Sequence, residues 1–188
     1  MLKQKSKEVI AYIDRQEILN YLQPTGFIPH KFVEMQYKYD FRGSLENDET
    51  KLQVIPYVVI RNKKYIVMYK RAGAEERLQS QYSIGFGGHV NIDDKSIDNT
   101  ILRELKEELN LDIYRNRLNF LGYIFSNRTN VDKVHLAYAY EYYLPRQSLI
   151  NIEPDSSEIS NISFCDFEVV REYPFLEEWS KLLINNLR

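Results

Sequence analysis

Several stretches of this chain are dense in β-branched and aromatic residues. Val54 to Ile60 and Tyr65 to Tyr69 are two, and the polar run Arg61 to Lys64 between them predicts a hairpin. Pro56 suggests that the first of these strands begins at a sheet edge. Tyr82 to Phe86 predicts a strand leading into Gly87-Gly88. Leu118 to Ser126 and Val134 to Leu144 alternate well enough for two more, with a turn over Asn127 to Asp132, and Ile159 to Phe167 predicts a last one. Helical spacing appears elsewhere. Ile97, Ile101, Leu102, Leu105 and Leu109 predict an amphipathic helix that ends near Leu109, with Asp98 or Ser96 as its cap. Phe175 to Leu187 predicts a closing helix with Phe175, Leu176, Trp179, Leu182, Leu183 and Leu187 on its apolar face.

Upstream of Lys51 the pattern is weaker. Glu8 to Ile13 predicts a short strand. Asp14 with Glu17 has capping-box spacing, which predicts a helix through Leu22 that stops at Pro24. Gly26 to His30 predicts a loop, Lys31 to Phe41 fits either period, and Gly43 to Thr50 is a polar linker or turn. Residues 1–50 are therefore expected to form an α/β extension packed on a main domain, 51–188. Strands, a helix, strands and a helix predict α+β, or a mixed sheet sandwiched by helices.

Composition narrows the function classes. At 44% hydrophobic and 13% aromatic, the chain reads as globular and not disordered. A formal net charge of -2 gives no global drive toward nucleic acid. The single cysteine, Cys165, excludes an intramolecular disulfide and a multi-cysteine zinc site, and is expected as a small buried residue. No run of 18 apolar residues predicts a membrane span, and the N-terminus lacks the pattern of a signal peptide, so a cytoplasmic protein is expected.

The chemistry concentrates after Gly87-Gly88. Arg103, Glu104, Glu107 and Glu108 stand in the order R-E-L-K-E-E. Residues three and four apart share a helix face, so the three glutamates form one carboxylate stripe. Stepping 100° per residue puts that stripe on one flank of the apolar face, where it can line a cleft. Clustered carboxylates repel one another unless a positive group sits among them. Hard oxygen ligands suit Mg2+ or Mn2+. The plain alternative is a solvated acidic face with Lys106 and Arg103 as ordinary partners.

The glycine pair ahead of the helix decides between these readings, because the combination resembles the Nudix box of the Nudix hydrolase (MutT-like) family. Gly88 matches the leading glycine of that pattern, and Arg103, Glu104, Leu105, Glu107, Glu108 and Leu111 match its second half. Three departures are visible. The gap from Gly88 to Arg103 is one residue longer, Asp93 or Asp94 stands near the missing upstream glutamate, and Asn110 replaces a late glycine. Asn tolerates the left-handed conformation of a helix end. Residues 1–50 resemble the leader of a branch of the family described as predicted phosphoesterases, in which stretches like QVIPYVVI and RLQSQYSIGFGGHV flank the hairpin.

The resemblance implies a Nudix fold, an α/β/α sandwich around a mixed β-sheet. It implies a pyrophosphohydrolase acting on a nucleoside diphosphate linked to another group, with Mg2+ or Mn2+ held by Glu104, Glu107, Glu108 and the Gly87 carbonyl. Glu104 and Glu158 are candidate general bases. Arg103 is expected to orient the glutamates, and Arg71 and Arg77, with Lys70, to meet substrate phosphates. His89 is expected as a structural or cleft-wall residue. A small-molecule nucleotide substrate and a homodimer are the partners implied. The missing upstream glutamate also motivates an alternative, a nucleotide-binding sensor that has lost turnover. Trimming of a nucleic-acid 5′ end is a third reading, which the acidic balance disfavours.

Overall fold

A run with no polar interruption longer than one residue becomes the central strand. The computed structural model of the protein describes residues 6–18, 25–72, 81–144, 152–155, 157 and 159–187. In chain order the elements are β1 (Val9–Asp14), α1 (Arg15–Ile18), β2 (Gly26–Pro29), β3 (Lys38–Phe41), α2 (Arg42–Leu45), β4 (Lys51–Arg61) and β5 (Tyr65–Arg71). Next come β6 (Tyr82–Ser83), β7 (Gly85–Phe86), α3 (Ile97–Leu109), β8 (Leu118–Phe125), β9 (His135–Tyr143), β10 (Ile159–Asp166), α4 (Phe167–Arg171) and α5 (Glu178–Ile184). Every residue from Leu52 to Ile60 is buried, so β4 is covered on both faces. It pairs in parallel with β9 from Gln53↔His135 to Arg61↔Tyr143 and meets β5 antiparallel at Arg61↔Ile66. The sheet runs β10-β5-β4-β9-β8-β2, with β1, β3, β6 and β7 attached beside that path, and it is mixed.

Side chains alternate between the faces of a strand. Val54, Val58, Val67 and Tyr69 pack in the core under Ile101, Leu105 and Leu109 of α3. Tyr57, Val59, Ile66 and Met68 pack in a second core with Phe167, Val170, Leu183 and Ile184 of α4 and α5. This is the α/β/α sandwich the family pattern implied. No helix among the described residues is long and apolar enough to cross a membrane.

Several local expectations are corrected. Pro56 lies in the middle of β4 and not at an edge. Val54 O accepts from Val90 N on the side of β4 away from β9. Backbone groups two residues apart point the same way, so Pro56 turns its missing N–H to that side, between the β1 and β7 pairings, where no ladder needs it. Gly26 to Pro29 is a strand paired with β8, and not a loop. Arg42–Leu45 forms a helical turn inside the expected linker. Tyr82 to Phe86 splits in two, since β6 pairs β5 and β7 pairs β4. The closing helix starts at Glu178, leaving Phe175 62% exposed before it. Cys165 is half-buried, beside the Ser163 hydroxyl.

Candidate active site

The site is built where the chain leaves β7 and crosses β4. Gly87 has φ +140, and a Cβ there would lie 2.0 Å from the Pro56 carbonyl oxygen. Only glycine fits. A Cβ at Gly88 would lie 2.4 Å from Glu104 Oε1, so the bare backbone is a cradle for that carboxylate. Gly87 N donates to Glu108 Oε2 at 3.3 Å. Glu104 and Glu108 thus both reach back to the glycine turn, while Glu107 stands farther out in solvent, its side chain 60% exposed.

Asn91 to Ser96 then sets the start of α3. Asn91 N donates to Asp94 Oδ2 at 2.9 Å and Asp94 N to the Asn91 carbonyl at 3.0 Å, Lys95 takes a left-handed conformation, and the Ser96 hydroxyl caps α3 by accepting from Asn99 N at 3.2 Å. Asn110 closes the helix at φ 50, and Glu153 N and Asp155 N donate to the Leu109 and Glu108 carbonyls. Both ends of the acid-bearing helix are therefore pinned.

Arg103 is the centre of the charge arrangement. Its Nε and Nη2 each donate to Asp94 at 2.9 Å, and Nη2 also donates to the His89 carbonyl at 3.1 Å. Its Nη1 donates to Glu104 Oε1 at 2.7 Å and to Glu107 Oε2 at 3.1 Å. Of the two aspartates that the sequence leaves open, Asp94 is buried and faces the site, and Asp93 is exposed. Burial alone would raise the Asp94 carboxyl. The Arg103 hydrogen bond, Asn91 N and the Thr100 hydroxyl outweigh it and hold Asp94 below the usual carboxylate range. Glu104 goes the other way. Burial pushes it up to about 7, against the pull of Arg103 and with the push of Glu107 and Asp94.

Among the described residues, no three His, Cys, Asp or Glu side chains already converge on one point as a metal site. The guanidinium of Arg103 spans Glu104 and Glu107 instead. The donor set still fits a hard divalent cation, because Asp94, Glu104 and Glu107 share that single guanidinium and every donor beside the turn is oxygen.

The other candidates divide. Arg71, at the end of β5, lies on the same strand face as Tyr69 and donates to Glu177 Oε2 at 3.3 Å. Arg77 and Glu158 lie outside the described residues. Ile159 N, on one side of position 158, donates to the Asp155 carbonyl, and Asp155 is itself tied to α3. Lys70 offers its carbonyl to the Ser160 hydroxyl. The His89 ring meets Gln53 at 2.8 Å and His135 at 3.3 Å, so His89 serves Arg103 through its backbone and its ring belongs to a separate polar contact. A hollow of about 630 Å³ lined by Asp14, Arg15, Gln16, Glu17, Glu49 and Thr50 contains none of these candidates. Sequence reasoning did not single out Glu177, Thr100 or the pairing of His89 with His135. It did not choose Asp94 over Asp93, although Asn91-x-x-Asp94 carries capping-box spacing.

Comparison with known proteins bears on the whole arrangement. The NUDIX domain family pattern matches residues 51–187. Protein YmaB of Bacillus subtilis (strain 168) is 30% identical over 166 residues, covering 82% of this chain and 80% of YmaB. The crystal structure of Tm1382, a candidate Nudix hydrolase, superposes with a TM-score of 0.73 at 25% identity, covering 96% of this chain and all of that one. The NUDIX domain of Shewanella oneidensis NrtR, complexed with ADP ribose, superposes with a TM-score of 0.57 at 14% identity, covering 92% of this chain and 96% of that one.

Proposed function

The chain belongs to the NUDIX domain family, and from that premise and the acid flank of α3 we propose that it hydrolyses a phosphoanhydride bond in a nucleoside diphosphate linked to another group. Glu104, Glu107, Glu108 and the Gly87 carbonyl would hold Mg2+ or Mn2+. Bound there, the cation supplies charge neutralisation at the phosphate oxygens and a lowered pKa for attacking water.

The chain's own groups do the rest. The Gly88 cradle holds the Glu104 carboxyl close to the backbone, and the Arg103–Asp94 pair fixes its direction. Glu104, whose carboxyl is raised by burial in the metal-free protein, is the first candidate for general base. Glu158 is the second candidate for that role. Arg103 is saturated by Asp94, Glu104, Glu107 and the His89 carbonyl, so it is a positioning residue. Arg71 and Arg77 are assigned to the substrate phosphates.

The observation that carries this reading is the pair of carboxylates, Glu104 and Glu108, folded back onto a glycine turn in which Gly87 admits no side chain and Gly88 leaves room for the Glu104 carboxylate. The substrate class draws support from the ADP ribose held by the similar NUDIX domain of NrtR. The test is phosphate release, with pyrophosphatase and phosphatase added in parallel to convert pyrophosphate and phosphomonoester products to phosphate, across a panel of nucleoside triphosphates, sugar nucleotides, dinucleotides and ADP-ribose, with and without Mg2+ or Mn2+. Metal-dependent release from the diphosphate-linked compounds is expected. Release from none of them, while ADP-ribose still binds, would replace the hydrolase with the sensor.

A further inference from the structure

Three of the four residues from Gly85 to Gly88 are glycine, so the backbone that carries the Gly87 carbonyl is intrinsically soft. The chain also changes partner there, from β5 at Ser83 to β4 at Gly85. Side-chain hydroxyls hold it across the change. Ile84 N donates to the Ser180 hydroxyl at 3.0 Å, and Gly85 N donates to the Ser83 hydroxyl at 3.1 Å. From the other face of the sheet, the Tyr69 hydroxyl donates to the Gly85 carbonyl at 3.0 Å, and its ring stacks on Phe86 at 4.7 Å. Tyr69 and Phe86 belong to the core under α3, whereas Ser180 lies in α5.

A buried carboxylate orders these hydroxyls. Glu177 stands at the N-terminal boundary of α5, its side chain only 10% exposed. Its Oε1 accepts from the Tyr57 hydroxyl at 2.8 Å and the Ser83 hydroxyl at 2.5 Å, with Ser180 Oγ at 3.3 Å. A carboxylate only accepts. It therefore draws the Ser83 hydrogen to itself and leaves that oxygen to receive Gly85 N. Without the carboxylate, the same hydrogen has a second acceptor in reach, the Gly85 carbonyl at 3.1 Å. Ser180 Oγ also lies 2.7 Å from the Tyr57 hydroxyl, so its hydrogen is taken up on the α5 side and its oxygen is left for Ile84 N. Burial raises the Tyr57 and Tyr69 hydroxyls above the ordinary phenol range, so both stay donors. A Cβ at Gly85 would fall 2.0 Å from the Tyr57 ring, so glycine is what lets the ring lie this close beneath the chain.

We propose that Glu177, acting through Ser83 and Ser180, and Tyr69, acting from the other face, are positioning residues that fix the direction of the Gly87 carbonyl and so set the affinity of the acid flank for a divalent cation. This rests on the metal-binding reading above. A carboxylate ligand can reach a cation by side-chain rotation. A backbone carbonyl has no such freedom and points where the preceding peptides send it, so the groups that hold those peptides do the orienting. Phe86 alone separates Gly85 from Gly87, and Gly87 N donates to Glu108 Oε2 at 3.3 Å. A shift at Gly85 is therefore felt at a carbonyl and at a carboxylate of the site. A hydrogen-bonded cluster that is fully satisfied stiffens its surroundings, which is what a glycine-rich turn lacks by itself.

The test is Mn2+ titration followed by electron paramagnetic resonance, on the full chain and its Glu177→Gln, Tyr69→Phe and Tyr123→Phe variants. Glu177→Gln keeps the shape but brings an amide donor into a cluster ordered by an acceptor. Tyr69→Phe keeps the ring on Phe86 and removes only the hydrogen bond to Gly85. Tyr123→Phe is the control for lost stability: it removes a hydroxyl that accepts from Val33 N, on β8 in the aromatic cluster with Phe120 and Tyr138. Glu177→Gln should weaken Mn2+ about 10-fold and Tyr69→Phe about 3- to 10-fold, whereas Tyr123→Phe should stay within about 2-fold even where its melting temperature falls as far. Unaltered Mn2+ affinity in Glu177→Gln or Tyr69→Phe, or an equal loss in Tyr123→Phe, would overturn the proposal and leave metal binding itself standing. Wild-type protein that binds no Mn2+ would overturn both. The expected affinities without turnover would remove the hydrolase reading alone. If Glu177→Gln fails to fold, as judged by its melting curve, Ser180→Ala withdraws the acceptor from Ile84 N and should weaken Mn2+ about 2- to 5-fold. No change there counts against the proposal.

Discussion

The two flanks of α3 carry residues of opposite character. On one, Glu104 and Glu108 return to a glycine turn and Arg103 knits Asp94, Glu104 and Glu107 together. On the other, Met35 and Tyr37 from the N-terminal region pack with Leu102, Phe120, Tyr138 and Tyr140. Phe32 stacks edge-on against Phe120 at 5.3 Å, and Val33 N donates to the Tyr123 hydroxyl. The Tyr140 hydroxyl, raised by burial, lies within electrostatic reach of Asp98 and Tyr37, which places this cover on the Asp98 side of the helix. One flank is sealed by aromatic rings and the other is left polar beside bare backbone. The difference teaches that helix spacing alone locates neither function. What marks the acid flank is the absence of side chains opposite it, at Gly87 and Gly88.

The comparison can be broken most severely at Glu108. Glu108→Gln should lower metal-dependent turnover of a diphosphate-linked nucleotide about 1,000-fold or more, a loss of several kcal/mol of transition-state stabilisation, with the melting temperature preserved. Steady-state assays at saturating Mg2+ read it directly.

Asp94→Asn sharpens the same flank from beneath. It removes the charge that holds Arg103 in a two-nitrogen grip. Arg103 keeps Glu104 and Glu107 but loses its most buried carboxylate partner, so about 1–2 kcal/mol of stability should be lost in urea unfolding. Turnover should fall about 10- to 100-fold through misplaced glutamates.

The third effect is one of pH, in the metal-free protein. Glu104 rises from an ordinary 4.5 to about 7 in the folded state. The folded state therefore binds the proton more tightly than the unfolded state. The stability this contributes is fully present below about pH 4.5 and is lost as pH rises through about 7, on the order of 1–3 kcal/mol. Asp94 is depressed, so its contribution is present above the ordinary carboxylate range and lost as pH falls below it. Melting curves in EDTA between pH 5 and 8 should slope downward for wild type, and Glu104→Gln should flatten them. An unchanged slope would remove Glu104 from the account.

The smallest effect belongs to the sealed flank. Phe32→Ala should lower stability by about 1 kcal/mol, since the ring is 47% exposed and gives up mainly its edge contacts. Turnover should stay within about 2-fold. A larger loss would mean that the aromatic cover takes part in substrate binding.

The sequence made the strands around β4, the catalytic helix and the acid stripe legible, because each is a local pattern with a fixed period. Asn110 at the helix end was legible for the same reason, through its tolerance of positive φ. Long-range pairing was not. Gly26 to Pro29 reads as a loop by composition and becomes a strand only because β8 offers it a partner. Pro56 reads as an edge residue and is tolerated centrally because the glycine turn interrupts the ladder on its N–H side. Glu177, 106 positions from Arg71 in the chain, had no local signal tying it to that arginine. Asp93 and Asp94 differ by one position, and only the direction of the short turn between Asn91 and Lys95 separates a solvated acid from the one that grips Arg103.

The most direct test of the central claim is Mn2+ binding followed by electron paramagnetic resonance, on wild type and on the Glu104→Gln, Glu107→Gln and Glu108→Gln variants. The acid flank predicts that wild type binds Mn2+ and that each substitution weakens it, with Glu108→Gln abolishing the bound signal. Equal Mn2+ affinity in wild type and all three variants would contradict it.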